Sequence, residues 1–184
     1  RNSDKLLIGK YIGLSQLGYY EKSYRLMMLP LQNITFVISP VLLPIFSTIQ
    51  DDVKQLGEKY LKLLHPLEYL SFPLSVILYF CSPELILIIF GEQWKPSISP
   101  LQILSFTLGF QIIISTTGGV FQALGETKRL FHTGCWGAFF IISSFIIAIW
   151  YWKTIIAVCI AYLIAQIANV IQCFCSLFIA LRLN

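Results

Sequence analysis

From residue 98 to residue 124 the chain runs 27 residues without a charged side chain, and it does so again over 155–181. A helix rises ~1.5 Å per residue, so ~20 apolar residues cross the ~30 Å hydrocarbon core of a bilayer. Two shorter runs, 24 residues at 26–49 and 19 at 134–152, are also free of charge, and 70–90 carries only Glu84. Five segments are therefore long enough to span. A soluble alternative fails on composition: 57% of the 184 residues are hydrophobic and only 12% are charged, against ~25% charged in ordinary soluble domains. A globule of this size has too much surface for its volume to hide those side chains from water. The sequence predicts an all-α, polytopic transmembrane helix bundle, with spans at 1–13, 22–49, 67–90, 98–124, 133–152 and 155–181.

The first span is short. The chain begins with Arg1 and shows no basic–apolar–small signal-peptide pattern. Residues 1–13 read as the end of a helix that starts earlier, in an excised piece of a longer protein that would not function alone. Between the spans the connections are expected to be brief. Residues 14–20 read as a tight turn and 125–132 as a loop. Residues 91–97 read as a turn with Trp94 as an interface aromatic. Residues 50–66 are the most charged stretch; Leu56, Tyr60, Leu63 and Leu64 recur there at helical spacing and predict an amphipathic helix on the membrane surface. Pro30, Pro40, Pro44, Pro73 and Pro83 fall inside spans, where neighbouring helices can re-satisfy the freed carbonyls. They serve either as hinges or as static bends.

The formal net charge is +4. The cations are scattered through short loops, which fits the positive-inside rule rather than a nucleic-acid surface. Lys54, Lys59, Lys62, Lys128, Arg129 and Arg182 fall on one side, and Lys22, Arg25, Lys95 and Lys153 on the other. That bias places the long charged segment in the cytoplasm.

The opening segment holds the chemistry. If its helix ends near Gly13, Asp4 lies ~14 Å and Arg1 ~18 Å below that end, near the middle of the membrane. Arg1, Asp4 and Lys5 are spaced i, i+3 and i+4 and share one helix face. Charges at such depth normally face a cavity or a partner. One reading is a cavity for an anionic or polar cargo, with Arg1 and Lys5 attracting the anion and Asp4 holding or neutralising them. The other readings are a cytoplasmic lead-in and an Arg1–Asp4 pair that locks helix packing. Glu21 and Arg25 are i, i+4, most simply a local salt bridge at the interface; the alternative turns Arg25 inward to join the cations. Gly9 with Gly13, and Gly118 with Gly119, permit close helix contact. Gln166, Asn169 and Gln172 line one helical stripe, read first as interhelical hydrogen bonding and second as a sugar-contacting wall. The cysteines at 81, 135, 159, 173 and 175 sit in apolar runs without nearby histidines or acids, so small packing residues are expected rather than a metal site or disulfides. His65 and His132 stand alone. No enzyme constellation, Walker loop or cofactor motif is present.

The run DKLLIGKYIGLSQLGYYEKSYRLMMLPLQ at residues 4–32 resembles the middle of bacterial polysaccharide transporters, the O-antigen and capsule repeat-unit flippases of the multidrug/oligosaccharidyl-lipid/polysaccharide exporter superfamily. VLLPIFSTIQDD at 41–52, IIFGEQW at 88–94 and FQALGETK at 121–128 are similar to the family's loop and turn motifs in the same order. The resemblance implies two similar lobes, this chain being most of the second, packed against the N-terminal lobe. It implies a multi-pass protein of the bacterial inner membrane that moves an undecaprenyl-diphosphate-linked oligosaccharide outward by alternating access, for O-antigen, capsule or exopolysaccharide synthesis. Membrane lipid and other polysaccharide assembly proteins would be its surroundings. By position, Arg1, Lys5 and Arg25 would meet the diphosphate, and Asp4 would be the acidic partner or ion-coupling group. The rivals are a drug or cation antiporter of the same superfamily, a membrane polymerase or ligase, and a structural membrane subunit. An antiporter would rely on more buried acids, an enzyme on a sizeable outer loop, and a structural subunit would have no use for a charged midplane face.

Overall fold

Every regular element is a helix among residues 3–181, which the computed structural model describes, with side chains from Lys5 onward. In chain order they are α1 (Ser3–Tyr11), α2 (Leu14–Ser47), α3 (Val53–Phe80), α4 (Ser82–Phe90), a 3-10 turn (Glu92–Ser97), α5 (Ile98–Ala123), α6 (Thr127–Tyr151) and α7 (Ile155–Ala180). Five helical stretches are long and apolar enough to cross a membrane: α2, α3, the 3-10 turn with α5, α6 and α7. Arg1 and Arg182 lie outside the described residues.

The helices alternate in direction. Turns at 12–13, 91–97 and 152–154 gather at one end of the bundle, and those at 48–52 and 124–126 at the other. α5 stands in the middle and packs against α2, α3 and α7. Its buried face carries Leu101, Leu104, Leu108, Ile112 and Phe121 between small polar residues. Lipid supplies no hydrophobic drive between helices, so close approach and hydrogen bonds hold such a bundle together. Each neighbour of α5 uses one of these devices. The Gly109 backbone N–H donates to Ser75 Oγ on α3 at 3.1 Å, and Ser75 passes its own proton to Ser71 O at 2.9 Å. Thr116 donates to Ile113 O, which leaves Tyr60 to donate its phenol proton to Thr116 Oγ1 at 3.1 Å. On α7, Cys173 Sγ lies 3.3 Å from Thr117 Oγ1, whose proton goes to Ile114 O. On α2, Met27 Sδ accepts from Gln111 at 3.6 Å.

Three boundaries differ from the sequence expectation. The turn expected over 14–20 is helix; the chain reverses at residues 12–13 instead, where Gly13 has φ 119°, a conformation open to glycine. Gly18 reads as a turn residue but serves packing: a Cβ there would stand 3.5 Å from the Trp94 ring. Trp94 is accordingly packed against Tyr19 and Phe90. The charged stretch 50–66 is no separate surface helix. Asp52 caps α3 through Gln55 N at 3.0 Å, and the helix runs on through Pro66 and Pro73. It breaks only at Cys81, where Pro83 falls in the first turn of α4. Finally, α6 starts at Thr127 and takes Lys128 and Arg129 into its first turn, where Arg129 Nε meets Glu126 Oε2 at 3.3 Å.

Gly109 is the tightest test of this packing. A Cβ there would meet two Phe72 ring carbons at 3.2 Å and Ser75 Oγ at 3.4 Å. Gly109→Val in the full-length protein should cost about 1–3 kcal/mol by overpacking, read as a lowered thermal-unfolding midpoint. Gly118→Ala, where a Cβ has no neighbour within 4 Å, should not lower that midpoint and should raise it slightly, since glycine in a helix interior costs about 0.5–1 kcal/mol relative to alanine.

Candidate functional site

α1 and α2 form a helical hairpin about Gly13. Residues equally far from that turn face each other, so Lys5 meets Glu21: Nζ lies 2.7 Å from Oε1. Eight residues of helix put this pair ~12 Å from the turn. The local Glu21–Arg25 bridge expected from i, i+4 spacing is not among the ion pairs of the described residues; Glu21 turns to Lys5. Since α2 begins at Leu14, Glu21 lies two turns inside the helix rather than at its outer start. The two side chains are 47% and 43% exposed, so the pair borders open space rather than filling a sealed core.

That space is a cavity of about 390 Å³ lined by Lys5, Tyr20, Glu21, Lys22, Tyr24, Arg25, Met28, Leu29 and Gln32. Glu21, Arg25, Met28 and Gln32 are spaced i, i+4, i+7 and i+11, one stripe of α2. Three cations and one carboxylate border it. Lys22 is turned aside: its ammonium sits 4.8 Å from the Phe90 ring centroid and 5.0 Å from that of Trp94, an attraction to the negative ring faces. Lys5 is paired. Arg25 has no ion pair among the described residues, and it is exposed. Its planar guanidinium, with five donors in a fixed fork, suits a bidentate grip on phosphate oxygens.

Of the four residues singled out in the sequence, the structure brings Lys5 and Arg25 to one cavity. Arg1 is outside the described residues. Asp4 lies in α1 beside Lys5, and its side chain is outside the described set. Glu21, Tyr24 and Gln32 were missed as site residues. For Glu21 and Gln32 the signal was the stripe they form with Arg25, of which only the Glu21–Arg25 spacing was noted; Tyr24 lies off that stripe and carried no signal.

A second cavity, of about 480 Å³, lies beyond Tyr24, between α5, α6 and α7. It reaches Ser115, Thr117, Thr133 and Asn169, with no charged residue among the described residues of its lining. Tyr24 borders both spaces. Its ring stacks on Tyr20 at 5.8 Å and meets Tyr162 edge-on at 6.2 Å. The glutamine–asparagine stripe does not make the expected interhelical bonds among the described residues; its one hydrogen bond is Gln172 Nε2 to Ser176 Oγ on α7 itself.

A family profile described as polysaccharide biosynthesis protein matches residues 1–99. The teichuronic acid biosynthesis protein TuaB of Bacillus subtilis is 29% identical over 131 residues, covering 71% of this chain and 27% of that protein. The lipopolysaccharide biosynthesis protein WzxC of Escherichia coli is 26% identical, covering 92% and 34%. The succinoglycan biosynthesis transport protein ExoT of Rhizobium meliloti is 25% identical, covering 70% and 26%. The chain thus spans about a third or less of the length of these three relatives. No solved structure matches it.

The Lys5–Glu21 pair predicts a charge-swap result. Lys5→Glu or Glu21→Lys in the full-length protein should lower the thermal midpoint. The double reversal should recover most of the loss, with a coupling of about 0.5–3 kcal/mol for directly contacting residues.

Proposed function

The chain belongs to the polysaccharide biosynthesis protein family, and from that premise we propose that it is part of a transporter that flips undecaprenyl-diphosphate-linked oligosaccharide units across the bacterial inner membrane. In this reading it is the second lobe of a two-lobe exporter, closed against an N-terminal lobe. Its role is carriage rather than catalysis. The observation that carries the reading is the cationic cavity between α1 and α2. Arg25, with no ion pair among the described residues, stands beside the Lys5–Glu21 pair, which lies ~12 Å from the helix turn. A cation at such depth is costly unless a polar partner meets it, and a diphosphate is such a partner.

The geometry also suggests how binding and movement couple. With the cavity empty, Glu21 neutralises Lys5. An arriving diphosphate competes with Glu21 for the Lys5 ammonium while Arg25 grips it from α2. The cargo then makes different contacts in different arrangements of α1 and α2, and only such differential contact lets a ligand shift a conformational equilibrium. Orientation follows the cation bias, with the 48–52 end in the cytoplasm and the Gly13 end outside. An antiporter that carries cations or drugs is less well supported. Among the described side chains, the cavity's one carboxylate is already held by a lysine.

The test is complementation of a flippase-null bacterium by the full-length protein. Arg25→Ala and Lys5→Ala should each reduce surface polysaccharide at least tenfold at normal membrane level, with lipid-linked units accumulating inside. Arg25→Lys should recover only part, since an ammonium lacks the bidentate fork. Full polysaccharide from both alanine variants would contradict the reading.

A further inference from the structure

The second cavity invites its own ligand. Glycines hollow it out. A Cβ at Gly118 or Gly134 would meet nothing within 4 Å, so both positions open onto empty space. Gly137 has the opposite role. A Cβ there would stand 2.6 Å from Asn169 Oδ1, so its absence lets the Asn169 amide lie against α6 at the cavity wall. Glycine in a helix interior costs about 0.5–1 kcal/mol relative to alanine, and α6 carries two within one turn beside this space.

The lining chemistry is neutral and rich in hydrogen-bonding groups. Asn169 makes no hydrogen bond among the described residues, so its two amide protons and its carbonyl oxygen are all available. Ser115 and Thr133 donate to Ile112 O and Leu130 O on their own helices. Each keeps acceptor lone pairs, which suits a ligand that brings its own O–H donors. Tyr24, Phe145 and Tyr162 supply aromatic surface on another side. A hydrocarbon chain would leave the amide unpaired, which is expensive away from water. A charged ligand would find no counter-charge among the described lining residues.

We propose that this cavity is a subsite for an uncharged sugar ring, with Asn169 and the Ser115 and Thr133 hydroxyls meeting its hydroxyl groups. The proposal rests on the function argued above. Tyr24 borders both cavities, so a ligand whose diphosphate is gripped by Arg25 has its attached sugar beside Tyr24, at the mouth of the neutral space. The two cavities then divide the cargo by chemistry, the cationic one reading the part common to all carrier lipids and the neutral one reading the sugar.

The experiment is equilibrium binding to the purified full-length protein in nanodiscs. The two probes are undecaprenyl diphosphate and the lipid-linked repeat unit extracted from cells of the source strain lacking the transporter. The unaltered protein should bind the sugar-bearing lipid at least tenfold more tightly. Gly134→Leu, which fills open space, and Asn169→Leu, which removes the amide, should each abolish that preference and leave undecaprenyl diphosphate binding within twofold. Preference retained in both variants would overturn the sugar subsite and leave the diphosphate reading intact. Equal loss for both lipids would overturn it too, since the cavity would then act on the carrier. If the unaltered protein bound neither lipid, the underlying function would fall.

Discussion

The close approach of α5 to its neighbours is the constraint on which the bundle depends. A helix whose 26 residues are all uncharged cannot be held by ion pairs, and lipid gives its leucines no reason to prefer protein over hydrocarbon. What remains is contact at glycine and hydroxyl positions. Gly109 lets Phe72 and Ser75 of α3 come close, Gly119 meets Leu42 of α2, and Thr116 and Thr117 take Tyr60 and Cys173. Each contact is modest, of the order of 1 kcal/mol. Together they fix the rotation of α2, α3 and α7 about the central helix.

That rotation positions the charges. With Met27 and Leu31 of α2 turned into the core, the stripe of Glu21, Arg25 and Gln32 is left on the side that α1 approaches. Ser23 strengthens the setting. Its Oγ lies 2.8 Å from Tyr19 O and 2.7 Å from Ser97 O, tying the start of α2 to the start of α5. Lys22, drawn over Phe90 and Trp94, ties it to the same turn and leaves Arg25 as the cavity's available cation among the described residues. The Gly13 end of the hairpin is therefore the end packed against the 91–97 turn. The charged pair lies on the part of α1 farther from it.

Much of this was legible in the sequence, because the signals were long. Charge-free runs located four of the spans; the fifth, expected over 67–90, is instead the helix Val53–Phe80 with a break at Cys81. Lys5 was a candidate because it shares a face with Arg1 and Asp4. Arg25 was visible as a candidate but its partner was misread. Sequence spacing offered Glu21 as a local partner for Arg25, whereas the hairpin puts Lys5, sixteen positions away in sequence, at 2.7 Å. Tertiary proximity overrode an i, i+4 preference worth only a few tenths of a kcal/mol. The stretch 14–20, which holds Gly18, was misread as a turn for a similar reason. Glycine can mark a turn or a close contact, and only the Trp94 ring beside it decides between them. The neutral cavity was the least legible feature, since an empty space between α5, α6 and α7 has no residue of its own. Its one trace was the polar stripe on α7, for which hydrogen bonding between helices was the simpler expectation.

The most direct test of the central claim is the charge dependence of ligand binding. A short-chain polyprenyl diphosphate and the matching uncharged polyprenol would be titrated against the full-length protein and against its Arg25→Ala variant. The diphosphate should bind the unaltered protein at least tenfold more tightly than the alcohol, with that advantage weakened by salt and largely lost in the variant. Equal affinity for diphosphate and alcohol, or an advantage that survives the loss of Arg25 unchanged, would contradict the account and return the cavity between α1 and α2 to a packing feature.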